Sequence, residues 1–511
     1  MKKIKAKHLF LAIFLMQFAL LIIANLFFIP KNLDCDNGKL MMHIIKMWEH
    51  RTLTIPDWSY PSTLEWDCTS IFALPLYAIT GNIIVSCGIS NIILAAIFLL
   101  TVYSLLRDTQ KFLLVSDILL IPFSVGMLDY YNMMFFAGTQ YVVKVMVPLL
   151  LASIVMRLES KEKLSKLDYF IGVIYILLLL DTSMSSGIYV ISTGIASIIL
   201  SYIVYKYVKW EKVNIKVIIT FIVTFAIYIV GVIINQAALG GTRADAMTLC
   251  PVYEIPANVL SNFFGLFELF GGITKNWYLH VISLEGVLAI IKFVFTAFLF
   301  GFAVKSLVDI FKGKISLLET TLTLMFFWNL LIMLIVKTKA GSSSTEYRYH
   351  LVGAVPMLIL FSTSLINPFN DTNESRKKVT RIGISLAIII VSLGSYFSFF
   401  TKEDAYKDVK EIVNYCKESE CDVIYMYEAS NDTDVMRVLD SSKEYVCLLE
   451  TGYTYSFDYY KRYELGGVQK ENSLVIINNE EYPFEDEFYI LDMKLKKADE
   501  INGRNVYVFV N

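Results

Sequence analysis

Residues 30–58 read PKNLDCDNGKLMMHIIKMWEHRTLTIPDW and follow a long apolar stretch, Leu9–Phe28. Two carboxylates, Asp34 and Asp36, lie where the chain leaves this stretch. Behind them, apolar residues recur at helical spacing over 41–50, which predicts an amphipathic helix lying on a membrane. We interpret the arrangement as chemistry at a bilayer surface, because a purely hydrophobic role would not require the acid cluster.

The whole chain is strongly apolar: 56% of its 511 residues are hydrophobic, 18% are charged, and the mean hydropathy is +0.56. A membrane span needs about 20 apolar residues. The stretches that approach this length are 9–29, 83–106, 112–128, 140–156, 167–180, 187–207, 215–238, 284–304, 317–336, 349–366 and 382–400. They predict a polytopic α-helical membrane protein with about 11 transmembrane helices. The net charge of −2 excludes a broad basic surface, so nucleic acid is not a predicted partner.

Lysine and arginine concentrate in alternate short loops, beginning with the N-terminal segment, which predicts a cytoplasmic N-terminus and a multi-pass protein of the plasma membrane. With eleven spans the C-terminus lies outside. The sequence therefore predicts three segments. Residues 1–82 form the first transmembrane helix and an extracytoplasmic loop with juxtamembrane helices, 83–400 a transmembrane helical bundle, and 401–511 an extracytoplasmic α/β domain.

The C-terminal segment changes character because charged residues recur every few positions. Helical spacing predicts a helix over 405–417, and short apolar runs predict strands. The predicted strands are 422–427, 473–478, 488–492 and 506–510. The segment is therefore expected to fold as a small soluble α/β domain.

The acid cluster has a structural and a functional interpretation. Asp36 or Asn37 would serve as the N-cap of the following helix, which is the structural alternative. The spacing downstream favours function, because Met47 follows Asp36 by eleven residues and Pro56 follows it by twenty. A second short helix is predicted over 71–77.

This spacing resembles the first outer loop of the integral-membrane GT-C glycosyltransferases, most of all the branch with the protein O-mannosyltransferases and the lipid A aminoarabinose transferase. In that branch an acidic residue, usually in an Asp-Glu pair, precedes a juxtamembrane helix, and an approximate x-Gly-x-Trp-x-x-Pro turn closes it. Here Asn37 stands in place of the Glu and Arg51 in place of the Gly. The resemblance implies a GT-C-like fold.

The resemblance also implies an inverting glycosyltransferase that uses a polyprenyl-phosphate-linked sugar. Its acceptor would be a hydroxyl of a cell-envelope glycan, lipid or protein. Asp36 is then the candidate catalytic base, because the acceptor hydroxyl loses its proton as it attacks the anomeric carbon. Asp34, two residues away, is the competing candidate. The prediction requires no metal, although a divalent cation is compatible with it.

The short loop 337–349 is basic for an outer loop and ends in Arg348-Tyr349. Ordinary solvation of a polar loop is one interpretation. The other is a donor phosphate-binding site in which Arg348 donates in a bidentate manner and Lys337 or Lys339 adds a point charge. Arg348-Tyr349 also resembles an Arg-Tyr pair that opens a late helix in the same branch and contacts the lipid phosphate, so Tyr349 joins the predicted donor site.

Three further polar residues lie at or inside apolar stretches. Asp129 directly follows the third stretch, at its outer end. The resemblance implies a role for it as a second acid or an acceptor-binding group. The alternative is a simple polar residue at the membrane interface. Lys144 is close enough to the end of its stretch to snorkel. Lys292 lies deeper and could meet lipid phosphate or a buried acid such as Glu285.

Two other classes of function stay open. An envelope polysaccharide polymerase or ligase, or a lipid-glycan flippase, would predict paired arginines in a large central loop or many intramembrane charges. The loop 239–281 holds only Arg243 and Lys275 as basic residues. A signalling or assembly protein would leave the acid cluster without a role. Cys35 and Cys68 share the first outer loop and could form a disulfide there.

Overall fold

The computed structural model describes fourteen parts of the chain, which are 6–55, 58, 60, 63–124, 129–160, 163–239, 248–273, 279–337, 347–366, 374–404, 406–449, 454–455, 468–490 and 493–510. The chain forms two compact units. The helical unit contains Met1–Asn25, Ser62–Ile71 and Asn91–Lys402, and the α/β unit contains Leu26–Pro61, Phe72–Ser90 and Glu403–Asn511. The three-segment division at residues 82 and 400 remains a prediction.

Helices dominate the described residues. They are α1 Ala6–Phe27, α2 Cys35–His50, α3 Ser70–Thr80, α4 Ile83–Leu106, α5 Thr109–Leu119, α6 Tyr130–Phe135, α7 Val142–Glu159, α8 Lys166–Ser186, α9 Ala196–Lys209, α10 Ile215–Leu239, α11 Ile255–Leu269, α12 Leu284–Phe311, α13 Leu317–Ile335, α14 Leu351–Ser364, α15 Glu374–Thr401, α16 Lys407–Glu418 and α17 Ser430–Leu439. A π-helical turn, Ile191–Ile195, leads directly into α9. A 3₁₀ turn, Tyr347–His350, leads into α14.

Eight helical segments of the described residues are long and apolar enough to cross a membrane. They are His8–Phe27, Ile83–Leu106, Lys166–Ser186, Ile191–Lys209, Ile215–Leu239, Leu284–Phe311, Leu317–Ile335 and Ile382–Thr401. The chain is therefore a multi-pass helical membrane protein, as the sequence predicts. The count of eleven spans is not confirmed.

The three remaining predicted spans contain the shorter or more charged helices α5, α7 and α14. In the stretch 112–128, α5 ends at Leu119, because the residue before Pro122 disfavours helical backbone. Helix α7 overlaps the stretch 140–156 and continues to Glu159, and its 18 residues include three charged side chains, of which Arg157 and Glu159 lie beyond the stretch. In the stretch 349–366, α14 has only 14 residues. Most residues of α7 and of α14 are buried.

Small residues let helices of the helical unit approach closely. Gly353 of α14 packs on α13, where an added Cβ would lie 2.8 Å from the Asn329 Cβ. Gly194 in the π-helical turn packs on α7, where a Cβ would lie 2.9 Å from the Pro148 ring. Such contacts are typical of helix packing in membranes, since lipid supplies no hydrophobic force between helices.

The α/β unit is built around a seven-stranded mixed sheet of strand order β5-β4-β3-β6-β9-β8-β7. Its strands are β3 Val423–Tyr427, β4 Glu444–Leu448, β5 Thr454–Tyr455, β6 Ser473–Asn478, β7 Glu487–Ile490, β8 Met493–Ile501 and β9 Arg504–Val510; the short pair β1 Thr248–Leu249 and β2 Val336–Lys337 belongs to the helical unit. Strand β3 pairs in parallel with β4 and β6, and β7, β8 and β9 are antiparallel. Buried valine, isoleucine, leucine and tyrosine side chains form its core.

The structure confirms the small C-terminal sheet domain that the sequence predicts. The predicted strand 473–478 is β6, and 422–427 differs from β3 by one residue. The predicted helix 405–417 is α16, shifted by two residues at its start. The strand predicted over 488–492 corresponds to β7, which ends at Ile490; residues 491 and 492 lie outside the described residues.

Candidate functional site

In the α/β unit, Asp34 is the N-cap of α2. Its extended backbone, with φ of −142°, lets the carboxylate accept hydrogen bonds from the Asn37 backbone N–H at 2.8 Å and from Asn37 Nδ2 at 2.7 Å. The expectation that Asp36 or Asn37 caps the helix is therefore wrong, because both lie inside the first turn. The helix also begins six residues before the predicted start at 41.

Asp36 lies in the first turn of α2 and is half-buried, whereas Asp34 is only 8% exposed. Negative charge is concentrated around this turn. Burial raises the pKa of the Cys35 thiol to about 12, and the carboxylates of Asp36, Asp34 and Asp434 add to the effect. Cys35 and Cys68 are both free thiols in the structure.

An aromatic cluster packs against the middle of α2, at His43. The buried His43 ring lies 4.9 Å from the Trp58 ring, and its Nε2 contacts the Tyr60 hydroxyl at 3.3 Å. The Tyr60 hydroxyl in turn accepts the Ile55 backbone N–H at 3.1 Å. Burial lowers the pKa of His43 to about 3, and the charge of Lys39 adds to this effect, so the imidazole is neutral.

In the helical unit, the structure brings two predicted site elements together. The Tyr347 hydroxyl donates a hydrogen bond of 2.7 Å to Asp129, which precedes α6, and Arg348 follows on the same 3₁₀ turn. Burial raises the pKa of Tyr347 well above its ordinary value, and the Asp129 charge adds to this. The sequence indicates Asp129 and Arg348 as candidates but not Tyr347, whose hydroxyl joins Asp129 to the turn that carries Arg348.

The Arg348-Tyr349 backbone is held in place by α13 and by aromatic rings. Asn329 Nδ2 donates to the Tyr349 carbonyl at 3.1 Å, and the Tyr349 ring lies 6.1 Å from Tyr141 and 5.9 Å from Tyr189. The Arg348 guanidinium lies 5.6 Å from the Tyr349 ring centroid. Such a packed turn can hold a guanidinium in a fixed place.

The two other cations predicted for the donor site are Lys337 and Lys339. Lys337 forms β2 and pairs with Thr248, and its side chain lies outside what the structure describes. Lys339 lies outside the described residues. Lys292 of α12 lies within electrostatic range of Asp129 and Glu285. Glu285 is exposed, so it is not the buried acid that the sequence suggests.

A buried carboxylate that the sequence does not single out lies in the helical unit. Asp67 is 0% exposed, and its Oδ1 accepts from Lys144 Nζ at 3.0 Å and from Ser185 Oγ at 2.7 Å. Its Oδ2 accepts from Thr182 Oγ1 at 2.7 Å and Ser186 Oγ at 2.8 Å. Four donors from α7 and α8 thus fix the segment before α3.

This network corrects the interpretation of Lys144. Its side chain is 10% exposed and pairs with Asp67, so it does not snorkel toward water as the sequence suggests. A buried charge needs such a partner, since removing one member of a buried pair costs about 3–5 kcal/mol. The hydroxyl spacing on α8, at positions 182, 185 and 186, is the one signal in the sequence that indicates a polar partner.

No family model and no curated protein matches the chain. Among solved structures, ArnT from Cupriavidus metallidurans in the apo state is similar with a TM-score of 0.55 and 10% identity, over 98% of this chain and 97% of that chain. The Archaeoglobus fulgidus oligosaccharyltransferase in complex with Zn and sulfate is similar with a TM-score of 0.50 and 11% identity, over 92% and 68%.

The chain has a GT-C fold. This confirms the fold class that the first-loop spacing implies. The structure also explains both departures of this chain from the motif. Asn37, in place of Glu, donates to the capping Asp34. Arg51, in place of Gly, caps α2 in the left-handed conformation with φ of 55°, the conformation that glycine adopts without strain, and its guanidinium lies 3.3 Å from the Trp48 ring centroid.

Proposed function

We propose that this chain is a membrane glycosyltransferase that moves a sugar from a polyprenyl-phosphate donor to a hydroxyl of a cell-envelope glycan, lipid or protein. The observation that carries the proposal is the nearly complete overlap, in both directions, with ArnT, the lipid A aminoarabinose transferase. The acid-bearing turn that opens α2 supports it, because this is where the resemblance to the family expects a base.

Asp36 is the base in this proposal. Its carboxylate takes the proton of the acceptor hydroxyl while the new bond from that oxygen to the anomeric carbon forms. The bond from the anomeric carbon to the phosphate oxygen breaks at the same time, and polyprenyl phosphate leaves with the electron pair. A single displacement of this kind inverts the anomeric carbon. Asp34 is the weaker candidate because its oxygens bind Asn37 and because it is buried.

Arg348 is the donor phosphate ligand in this proposal. A guanidinium holds two phosphate oxygens at once and stays charged, which suits a leaving group whose charge grows in the transition state. Tyr349 supports the guanidinium, and Lys337 and Lys339 are additional candidate cations. Asp129 holds the turn through Tyr347 and is also the candidate second acid or acceptor-binding group.

The test is a transfer assay in proteoliposomes with polyprenyl-phosphate-linked sugars labelled in the sugar and an envelope lipid and glycan extract as acceptor. We expect donor consumption by the wild-type chain and a loss of about 10²–10⁴-fold in Asp36→Asn, the range typical of a general base. Asp34→Asn keeps an N-cap and serves as the matched control, with a smaller loss. Transport of the donor without its consumption would contradict the proposal and favour a flippase.

A further inference from the structure

The first turn of α2 packs directly on a helix from the far end of the sequence, within the α/β unit. A Cβ added at Gly38 would lie 2.7 Å from the carbonyl oxygen and 2.9 Å from the carbonyl carbon of Asp434, in α17. Both atoms belong to the backbone and cannot move aside as a flexible side chain would. Glycine is therefore what allows α2 and α17 to meet at this point.

A second contact fixes the segment that enters α2. Lys410 of α16 donates to the Pro30 carbonyl at 2.6 Å, although the two residues are 380 positions apart in the chain. The same ammonium pairs with Asp404, which keeps it in place. Tyr406 of this C-terminal segment lies within electrostatic range of Cys35 and Asp34. Residues 30–38 are thus contacted at both ends, by α16 at Pro30 and by α17 at Gly38.

We infer that the C-terminal segment positions the catalytic turn, with Gly38 and Lys410 as positioning residues that set the place of the Asp36 carboxylate. This inference rests on the proposed function for the role of Asp36, although the contacts themselves do not depend on it. Asp36 lies two residues before Gly38 in the same helical turn, so a displacement of that turn moves its carboxylate. A misplacement of about 1 Å can cost about 10²-fold in rate.

Two variants of different kind test the inference. Gly38→Ala inserts a methyl group between α2 and α17, whereas Lys410→Met removes a hydrogen bond without adding bulk. Gly172→Ala is the control for the first, because nothing lies within 4 Å of the added Cβ on α8. Lys407→Met is the control for the second, because Lys407 is an exposed lysine on the same helix α16.

The activity measurement separates positioning from general loss of structure. We expect kcat to fall about 10–10²-fold in Gly38→Ala while the KM for the donor stays within about twofold. In the Asp36→Asn background, Gly38→Ala should add little further loss, because both changes act on the same group. Independent, multiplied losses in the double variant would overturn the inference, and so would an unchanged kcat in Gly38→Ala.

A second measurement does not need activity. Cys35 lies in the turn itself, so its alkylation by a maleimide, followed by peptide mass spectrometry, reports on the contact. We expect the rate at Cys35 to rise about tenfold in Gly38→Ala and in Lys410→Met, while Cys250 in the helical unit and both controls stay at the wild-type rate. Unchanged Cys35 labelling would overturn the inference. If wild-type transfer fails with every donor while Cys35 labelling rises as expected, the proposed function is wrong and the positioning contact stands.

Discussion

Arg348 shares a 3₁₀ turn with Tyr347, whose hydroxyl binds Asp129, and with Tyr349, whose carbonyl binds α13. Because the backbone of this turn is already fixed, the Arg348 guanidinium loses little conformational entropy when it binds a phosphate. Lysine in its place would keep the charge but present a compact ammonium that cannot engage two oxygens in the same planar way. The geometry of the cation therefore matters as much as its charge.

We accordingly predict that Arg348→Lys loses about 10²-fold in kcat/KM, the scale of one preorganised donor at a developing negative charge. Insertion and expression should stay normal. The transfer assay on the purified variant checks this, with donor binding measured separately. Arg107→Lys is the control, because Arg107 pairs with Asp168 and lies outside the candidate site. Wild-type turnover in Arg348→Lys would remove this residue from the donor site.

Helix α2 ends in a left-handed residue, Arg51, that is not glycine. For an L-residue other than glycine this conformation costs about 1–2 kcal/mol, and the stacking of Arg51 on Trp48 offsets part of that cost. Arg51→Ala keeps the strain and loses the stacking, whereas Arg51→Gly loses both. We predict that the free energy of unfolding of Arg51→Gly exceeds that of Arg51→Ala by about 1 kcal/mol. Arg51→Gly should therefore unfold at the higher temperature. Equal melting temperatures in detergent would show that the left-handed cap carries no strain.

The buried His43 makes the free energy of unfolding depend on pH. Its pKa is lowered from 6.5 to about 3, so below pH 6.5 the unfolded state binds a proton that the folded state does not. The free energy of unfolding should then fall with falling pH between about 6.5 and 3, by up to about 1.4 kcal/mol per pH unit from this group. His43→Phe removes this contribution, and its melting temperature should fall less steeply with acid than that of the wild type. His280→Phe, at an exposed site, is the control and should keep the wild-type slope.

The elements differ in how well their sequence determines them. The sequence predicts helix α2 and strands β3 and β6, because each follows from a local pattern. The left-handed cap at Arg51 is also local, but the sequence does not predict it. The contact of Gly38 with Asp434 and the pair of Asp67 with Lys144 join distant parts of the chain, so no spacing identifies the two partners. The hydroxyls on α8 indicate only that some polar group lies against them. The sequence shows Asp129 and Arg348 as candidates. It does not show the hydrogen bond from Tyr347 to Asp129, because that bond also joins distant parts of the chain.

The number of membrane crossings decides on which side each terminus lies. Eight segments of the described residues are long and apolar enough to cross, which is an even number. A cytoplasmic N-terminus with residues 401–511 outside requires an odd number. Helices α5, α7 and α14 lie where the sequence predicts three more crossings, and α7 and α14 are buried. Buried helices can cross with fewer apolar residues, because protein rather than lipid surrounds their polar groups.

We therefore predict eleven crossings, with the N-terminus inside and the C-terminus outside. Single cysteines introduced before α1, in the short loop between α12 and α13, and after β9 would be probed in intact cells with a membrane-impermeant maleimide, in a background without the seven native cysteines. The first two sites should stay unlabelled until the membrane is permeabilised, and the third should be labelled at once. The loop between α12 and α13 matters because it carries Lys312 and Lys314, which the positive-inside bias places in the cytoplasm. Labelling of both termini from the same side would mean an even number of crossings, and then at least one of the three short helices does not span the membrane.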